Sequence, residues 1–101
     1  MYVILWEYRV SKERQSEFEQ IYSPDGAWTE FFKNGIGYLG TELLHSDQMP
    51  ELYVTIDRWD SKEQYERFLS EWATDYEKLD KQCEGLTEYE KRIGDFTATR
   101  S

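Results

Sequence analysis

Three carboxylates are the residues best suited to acid–base chemistry: Glu42, Asp57 and Asp60, which lie on or beside two predicted strands. Paired carboxyl groups can act as general acid and general base. The chain contains 21 acidic residues, so some of them must lie close together by chance. A solvated face, or pairing with Arg9 and Arg58, therefore explains these carboxylates more simply than catalysis does.

Metal and nucleophile chemistry would need clusters that this chain lacks. It has one histidine, His45, and one cysteine, Cys83, whereas a zinc site or a Cys–His or Ser–His nucleophile needs several such groups together. We expect no metal and no internal disulfide. His45 is predicted at a solvated strand edge, and Cys83 on the apolar side of a helix.

A glycine pattern, GxGxxG, occupies residues 35–40. In dinucleotide-binding folds this pattern follows a strand and opens a helix, but here it follows a predicted helix and opens a strand. We therefore interpret Gly35 as a helix C-cap and Gly40 as a site of close packing beneath a helix, and expect no nucleotide cofactor.

Aromatic residues dominate the apolar part of the chain, with 4 Trp, 8 Tyr and 5 Phe. Each buried tyrosine hydroxyl or indole N–H needs a hydrogen-bond partner. A pocket for a planar or phenolic ligand would supply such partners, and so would ordered water; a plain aromatic core is the alternative. The rings expected between sheet and helices are Trp6, Tyr8, Trp28, Phe31, Phe32, Tyr38, Tyr53, Trp59, Tyr65 and Trp72.

Hydrophobic periodicity and turn residues predict the elements that position these side chains. The predicted order is a strand over residues 2–10, helices over 12–22 and 28–32, hairpin strands over 38–45 and 52–59, one five-turn helix over 61–83, and a strand over 86–96. Ser61 and Gln64 form a capping box for the long helix. Gly94 marks a bulge in the last strand.

The two halves of the chain share one plan. Ser-Lys-Glu occurs at residues 11–13 and again at 61–63, and each half reads strand, helix, strand. We predict one domain, 1–101, made of βαβ halves 1–45 and 51–96 with a tail over 97–101. Right-handed crossovers place the helices on one face of a four-stranded antiparallel sheet, the ferredoxin-like α+β arrangement. The other face stays bare, so we expect a homodimer that packs sheet to sheet.

Charge and hydropathy exclude several kinds of partner. The net charge of −9 opposes binding to nucleic acid phosphates and to anionic membranes. No stretch approaches the roughly 20 apolar residues of a membrane-spanning helix. With no signal-like segment before the first strand, we expect a cytoplasmic protein.

Two segments carry a family resemblance that extends over nearly the whole chain. Residues 37–43 (GYLGTEL) and above all residues 55–65 (TIDRWDSKEQY) resemble the antibiotic biosynthesis monooxygenase domain family. The resemblance implies a dimeric α/β barrel with a pocket between sheet and helices in each protomer. It also implies oxidation of a small phenolic, anthrone or quinol-like substrate by O₂ without a cofactor.

The same resemblance suggests roles for individual residues. Trp59 and Tyr65 match a pocket Trp and Tyr of the family's cofactor-independent oxygenases, and Thr55 stands where those enzymes have Asn. These three are the catalytic candidates, although the later helix offers no counterpart of the family's Arg. The substrate-binding candidates are Trp6, Tyr8, Tyr38, Arg58, Phe68 and Trp72.

Other functions within the same fold stay open. The haem-degrading branch uses a strand Asn, a helix Trp and a helix His, where this chain has Tyr8, Phe68 and no histidine, so haem degradation is not expected. A non-catalytic small-molecule-binding protein and a purely structural dimer remain alternatives to the oxygenase.

Overall fold

The computed structural model describes residues 1–99, which form one antiparallel sheet with its helices. The elements are β1 (Tyr2–Arg9), a 3-10 turn (Lys12–Arg14), α1 (Gln15–Tyr22), α2 (Ala27–Phe32), β2 (Tyr38–His45), β3 (Leu52–Trp59), α3 (Lys62–Glu71), α4 (Ala73–Gln82) and β4 (Tyr89–Thr97). The strand order is β2-β3-β1-β4. This arrangement confirms the predicted ferredoxin-like α+β fold.

Alternation along the two central strands separates a buried face from an open one. In β1 the even-numbered Tyr2, Ile4 and Tyr8 are buried beneath the helices, and in β3 every second residue from Tyr53 to Trp59 is buried. Successive side chains of a strand point to opposite faces. The core is therefore a layer of rings between the sheet and the helices.

The predicted continuous helix over residues 61–83 is wrong. It breaks at Trp72, whose φ of −116° and ψ of 24° lie outside the helical region. The Trp72 ring stays in the core, stacked on Phe68 and edge-on to Phe31. The apolar spacing is the same on both sides of the break, so periodicity alone does not reveal it.

The predicted roles of two glycines are wrong: Lys33, not Gly35, is the C-cap of α2, and Gly40 does not pack closely beneath a helix. A Cβ on Gly35 would lie 2.7 Å from ring atoms of Trp59 and Phe68, so Gly35 is the site of close packing. Gly40 has open space around it and a φ of +134°, which glycine adopts without strain. It lies where the pairing of β2 with β3 shifts register.

The last strand starts later than predicted, at Tyr89 rather than residue 86. The expected bulge is confirmed, because the register of β4 against β1 shifts between Gly94 and Arg92. Thr97, assigned above to the tail, closes the strand. The end of the predicted tail, residues 100–101, lies outside the described residues.

The sheet face away from the helices carries apolar side chains. Leu44 and Phe96 are 45% and 51% exposed, and Val54 and Ile56 of β3 are half-buried on the same face. Within residues 1–99 no helix is long and apolar enough to cross a membrane.

Candidate functional site

A cavity of about 260 Å³ lies between the sheet and helices α1, α2 and α4. Six rings form most of its wall: Trp6, Tyr8, Tyr22, Trp28, Phe32 and Tyr76. A cavity lined by rings with a few polar groups is the usual form of a small-molecule site.

The rings form a continuous wall through mutual contacts. Centroid distances are 5.1 Å between Tyr8 and Tyr22, 6.2 Å between Tyr22 and Trp28, and 5.2 Å between Trp28 and Tyr76. Trp6 stacks on Tyr8 at 6.4 Å. These tilted and edge-on arrangements are favourable aromatic geometries, so the wall is formed before any ligand binds.

A buried carboxylate lies on the sheet side of the cavity. Asp57 is only 8% exposed, and its Oδ1 accepts a hydrogen bond of 2.7 Å from the Thr41 hydroxyl on the paired strand. The Tyr38 hydroxyl lies 2.5 Å from Thr41 Oγ1. Because the Thr41 proton is directed to Asp57, Tyr38 donates to Thr41. The three side chains form a relay that ends at the carboxylate.

The environment of Asp57 favours its neutral form. Burial raises the pKa of Asp57 to about 6, against the opposing effect of the Thr41 hydrogen bond. A carboxyl group with such a pKa is ionised at neutral pH and is still a competent proton acceptor. No other residue within 1–99 hydrogen-bonds to its Oδ2, so this oxygen is available to a ligand.

Two further carboxylates, Asp80 and Glu90, line the cavity where it meets solvent. Partial burial and the neighbouring Asp80 raise the pKa of Glu90. No basic residue lines the cavity within the described part of the chain. The site is therefore acidic at both its buried and its open end.

Neutral donors occupy the rest of the wall. The Tyr8 hydroxyl and Thr55 Oγ1 are 3.5 Å apart, and burial holds the pKa of Tyr8 well above its ordinary value. Trp28 is 8% exposed, and its indole N–H makes no hydrogen bond of good geometry among residues 1–99, although the Tyr22 hydroxyl and the Cys83 thiol lie near it. A buried donor without a partner costs free energy, so a ligand oxygen that accepts a hydrogen bond from the Trp28 N–H would be stabilised.

Four of the nine sequence-predicted site residues belong to this region. Trp6, Tyr8 and Thr55 line the cavity. Tyr38 does not line it, but its hydroxyl is hydrogen-bonded to the lining residue Thr41.

The other five predicted residues lie elsewhere. Trp59 is 0% exposed and packs edge-on to Tyr65 at 5.5 Å, outside the cavity. Phe68 and Trp72 border a separate and much smaller cavity of about 70 Å³. Arg58 is on the opposite sheet face, where its guanidinium pairs with Glu42 at 2.5 Å.

The histidine that a haem site would use is remote from the cavity. His45 stacks on Tyr53 at 4.1 Å, and its Nε2 lies 2.6 Å from the Pro50 carbonyl oxygen. Among residues 1–99 no three His, Cys, Asp or Glu side chains are grouped closely enough to hold a metal ion. The predicted burial of Cys83 is confirmed, and this thiol does not line the cavity.

Sequence reasoning considered the carboxylate most central to the site, Asp57, for acid–base chemistry but did not place it among the site residues. Asp57 was interpreted as solvated or paired with an arginine, yet alternation in β3 places it on the same face as Thr55 and Trp59. That period-two signal was available in the sequence. The other residues missed are Tyr22, Thr41, Tyr76, Asp80 and Glu90.

Residues 1–73 match the antibiotic biosynthesis monooxygenase (ABM) family. The chain belongs to this family. No curated protein matches the sequence of this ABM chain.

Solved structures share the fold of the ABM chain along its whole length. A point mutant of SnoaB, a cofactor-independent oxygenase from Streptomyces nogalater, is 22% identical with a TM-score of 0.77, covering 99% of this chain and 94% of that chain. A Deinococcus radiodurans protein is 13% identical with a TM-score of 0.79, covering 100% and 95%. MhuD from Mycobacterium tuberculosis, a heme-degrader with two hemes bound in its active site, is 19% identical with a TM-score of 0.66, covering 100% and 98%. At these identities the likeness shows the fold alone.

Proposed function

We propose that this ABM protein is a cofactor-independent monooxygenase that oxidises a small phenolic, anthrone or quinol-like substrate with O₂. The observation that carries the proposal is the buried Asp57 carboxylate in an aromatic cavity. The ring walls suit a planar substrate, and family membership together with the SnoaB-like fold favours this reaction class.

Asp57 is the general base in this proposal. Oxidation without metal or flavin requires electrons from the substrate itself, and a phenolate or carbanion gives up an electron far more readily than its conjugate acid does. Asp57 Oδ2 takes the proton, and Thr41 holds the other carboxylate oxygen in place. The transfer moves one negative charge from Asp57 to the substrate, so the charge inside the cavity does not increase.

The reaction balances with O₂ as the only oxidant. For an anthrone, the carbanion gives one electron to O₂, and the resulting superoxide and substrate radical combine to form a carbon–oxygen bond. The peroxide takes the proton back from Asp57. Cleavage of the O–O bond with loss of the second C–H proton releases water and leaves a quinone carbonyl. One oxygen atom enters the product and the other enters water.

Neutral donors stabilise the substrate anion in place of the missing arginine. Tyr8 and Trp28 line the cavity and can donate to a developing oxyanion, as preorganised donors do in other enzymes, while the Thr55 hydroxyl donates to that of Tyr8. We assign Trp59 and Tyr65 to the packing behind the site rather than to contact with substrate. Thr55 keeps a proposed place in the site as the residue that positions the Tyr8 hydroxyl.

We propose a cytoplasmic homodimer as the working form. The exposed Leu44 and Phe96 and the half-buried Val54 and Ile56 make an apolar sheet face that a second copy can cover in a self-complementary contact. The cavity lies on the helix side of the sheet, so such a dimer would leave both sites open.

Oxygen uptake tests the proposed activity. The purified, chelator-treated protein is mixed with a panel of anthrones, quinols and flavonoid-like phenols, and O₂ consumption is compared with the spontaneous rate of each compound. We expect acceleration of at least one compound with formation of the corresponding quinone. If no compound is oxidised faster than its spontaneous rate, the binding or structural alternative replaces the oxygenase.

A further inference from the structure

The open end of the cavity joins two carboxylates to aromatic rings. Asp80 follows Tyr76 by four residues on α4, so the two side chains share one helix face, and both line the cavity. Glu90 of β4 pairs with Tyr8 of β1 in the sheet register. Each carboxylate therefore stands beside a ring of the wall.

These carboxylates have no internal counter-charge. Ion pairs formed within residues 1–99 lie elsewhere in the molecule, and the described lining of the cavity contains no lysine or arginine. Asp80, Glu90 and Asp57 all act on Tyr76, where they reinforce the effect of burial in raising its pKa. Among residues 1–99 the cavity lining offers no cation to balance these three acids; Arg92, opposite Trp6 in the sheet register, lies outside the lining and contacts Tyr2 instead.

We propose that the cavity binds aromatic compounds that carry a protonated amine, with the ammonium group between Asp80 and Glu90 and the rings of the wall. This inference rests on the proposed function, because it names the substrate class of the same site. Ammonium groups are attracted both to carboxylates and to the faces of Trp and Tyr rings. A positive charge at this end also offsets the anion that Asp57 generates on the substrate.

The unpartnered Trp28 gives an independent indication of a ligand. Its indole N–H is buried and makes no hydrogen bond of good geometry among residues 1–99, although the Tyr22 hydroxyl and the Cys83 thiol lie near it; the Trp28 residue lines the same cavity. A ligand oxygen at this point would satisfy the donor. The ligand therefore combines an oxygen-bearing ring, which Trp28 and Asp57 recognise, with a cationic nitrogen at the open end.

A metal ion does not fit this site. Carboxylates that bind a metal must converge on one point, and within the described residues no three potential ligands do so. An organic ammonium can span separated carboxylates because it is larger and has several N–H donors. The net charge of −9 further favours the approach of a cation over that of an anion.

Three small phenols of different charge test the inference by calorimetry on the full chain. They are tyramine, which is cationic at neutral pH, the neutral 4-ethylphenol, and the anionic 3-(4-hydroxyphenyl)propanoate. We expect tyramine to bind about tenfold more tightly than 4-ethylphenol, with the propanoate weakest. The preference for tyramine should shrink as salt is added.

Substitutions of the two carboxylates test whether they cause the preference for tyramine. Asp80→Asn combined with Glu90→Gln should remove most of the preference for tyramine. Asp75→Asn combined with Glu77→Gln is the control, because it makes the same change in net charge. Both of its residues are on α4 and outside the cavity, so this variant should keep the preference for tyramine. All four side chains are exposed, so both double variants should fold, and their melting temperatures check this.

Three results would overturn the inference: no binding of tyramine, binding of 4-ethylphenol as tight as that of tyramine, or an equal loss in the control variant. Binding can be measured without turnover, so the proposed cation site and the proposed oxygenase activity are tested independently. A preference for tyramine without any oxidation of the phenol panel would contradict the oxygenase alone. Oxidation of neutral anthrones without a preference for tyramine would contradict the cation site alone.

Discussion

The Thr41 hydroxyl donates to the carboxylate of Asp57 across the β2–β3 pair, at 2.7 Å. The two residues face each other in the strand register, so the hairpin itself fixes this contact. The hydrogen bond holds down the pKa of a carboxyl group that burial has raised. Thr41 therefore sets the pH range in which Asp57 can act as a base.

Activity should rise with pH through about 6, because Asp57 must be ionised to accept a proton. Removing the Thr41 hydroxyl in Thr41→Val should raise the pKa of Asp57 and move the midpoint of kcat/KM upward by about one pH unit. Tyr38→Phe leaves the Thr41–Asp57 bond intact and should shift the midpoint less. A Thr41→Val profile that coincides with that of wild type would contradict this role.

Asp57→Asn should stabilise the fold at neutral pH. Raising the pKa of Asp57 from 3.8 to about 6 means that ionisation costs the native state up to about 3 kcal/mol. That cost is absent below the unfolded pKa, grows as pH rises from about 4 to about 6, and is constant above. The amide oxygen of the variant still accepts from Thr41.

Urea unfolding of wild type and Asp57→Asn across this pH range measures the effect. The free energies of unfolding should converge below about pH 4, and the variant should be the more stable above pH 6. Equal stability at neutral pH would show that Asp57 is well solvated.

Gly35→Ala should destabilise the protein by about 1–3 kcal/mol. The added Cβ would lie 2.7 Å from the rings of Trp59 and Phe68, both of which are buried, so the backbone or the packed rings would have to shift. Gly94→Ala is the matched control, because its nearest neighbour is the ring of the exposed Phe96 at 3.2 Å. Thermal unfolding that ranks the two variants the other way would contradict the packing described around Trp59.

Light scattering should give twice the 12.2 kDa mass of one chain. Ile56→Lys places an ammonium group on the apolar sheet face and should yield monomers, since burying an unpaired charge is unfavourable. Ser70→Lys adds the same charge to the helical layer, on α3, and should remain dimeric. A wild-type protein of monomer mass at micromolar concentration would contradict the proposed interface.

The fold was predictable from the sequence because its signals are local or repeated. Alternation in β1 and β3, the Ser61 cap and the recurring Ser-Lys-Glu each indicate an element or an order of elements without reference to tertiary contacts. The cap forms as expected, with Ser61 Oγ accepting from the Gln64 backbone N–H. The break at Trp72 was not predictable, because it changes the backbone dihedral angles of one residue without changing the spacing of apolar residues.

The site was predictable only in part. Rings near the strands were expected to form a pocket, and Trp6 and Tyr8 do line one. Asp57 was missed because a charged residue in an acidic chain is ordinarily solvated, and its burial depends on Thr41 across the hairpin. Asp80 and Glu90 come from different elements, α4 and β4, and only the tertiary fold brings them to one cavity.

Oxygen consumption by wild type and Asp57→Asn, with a hydroxyanthrone as substrate, tests the central claim most directly. We predict that wild type forms the quinone faster than the spontaneous reaction and that Asp57→Asn loses at least about 100-fold of the enzyme-dependent rate. Asp95→Asn is the matched control. Asp95 pairs with Ile4 from β4 as Asp57 does from β3, but it lies outside the cavity, so this variant should retain activity. A fully active Asp57→Asn would contradict the account.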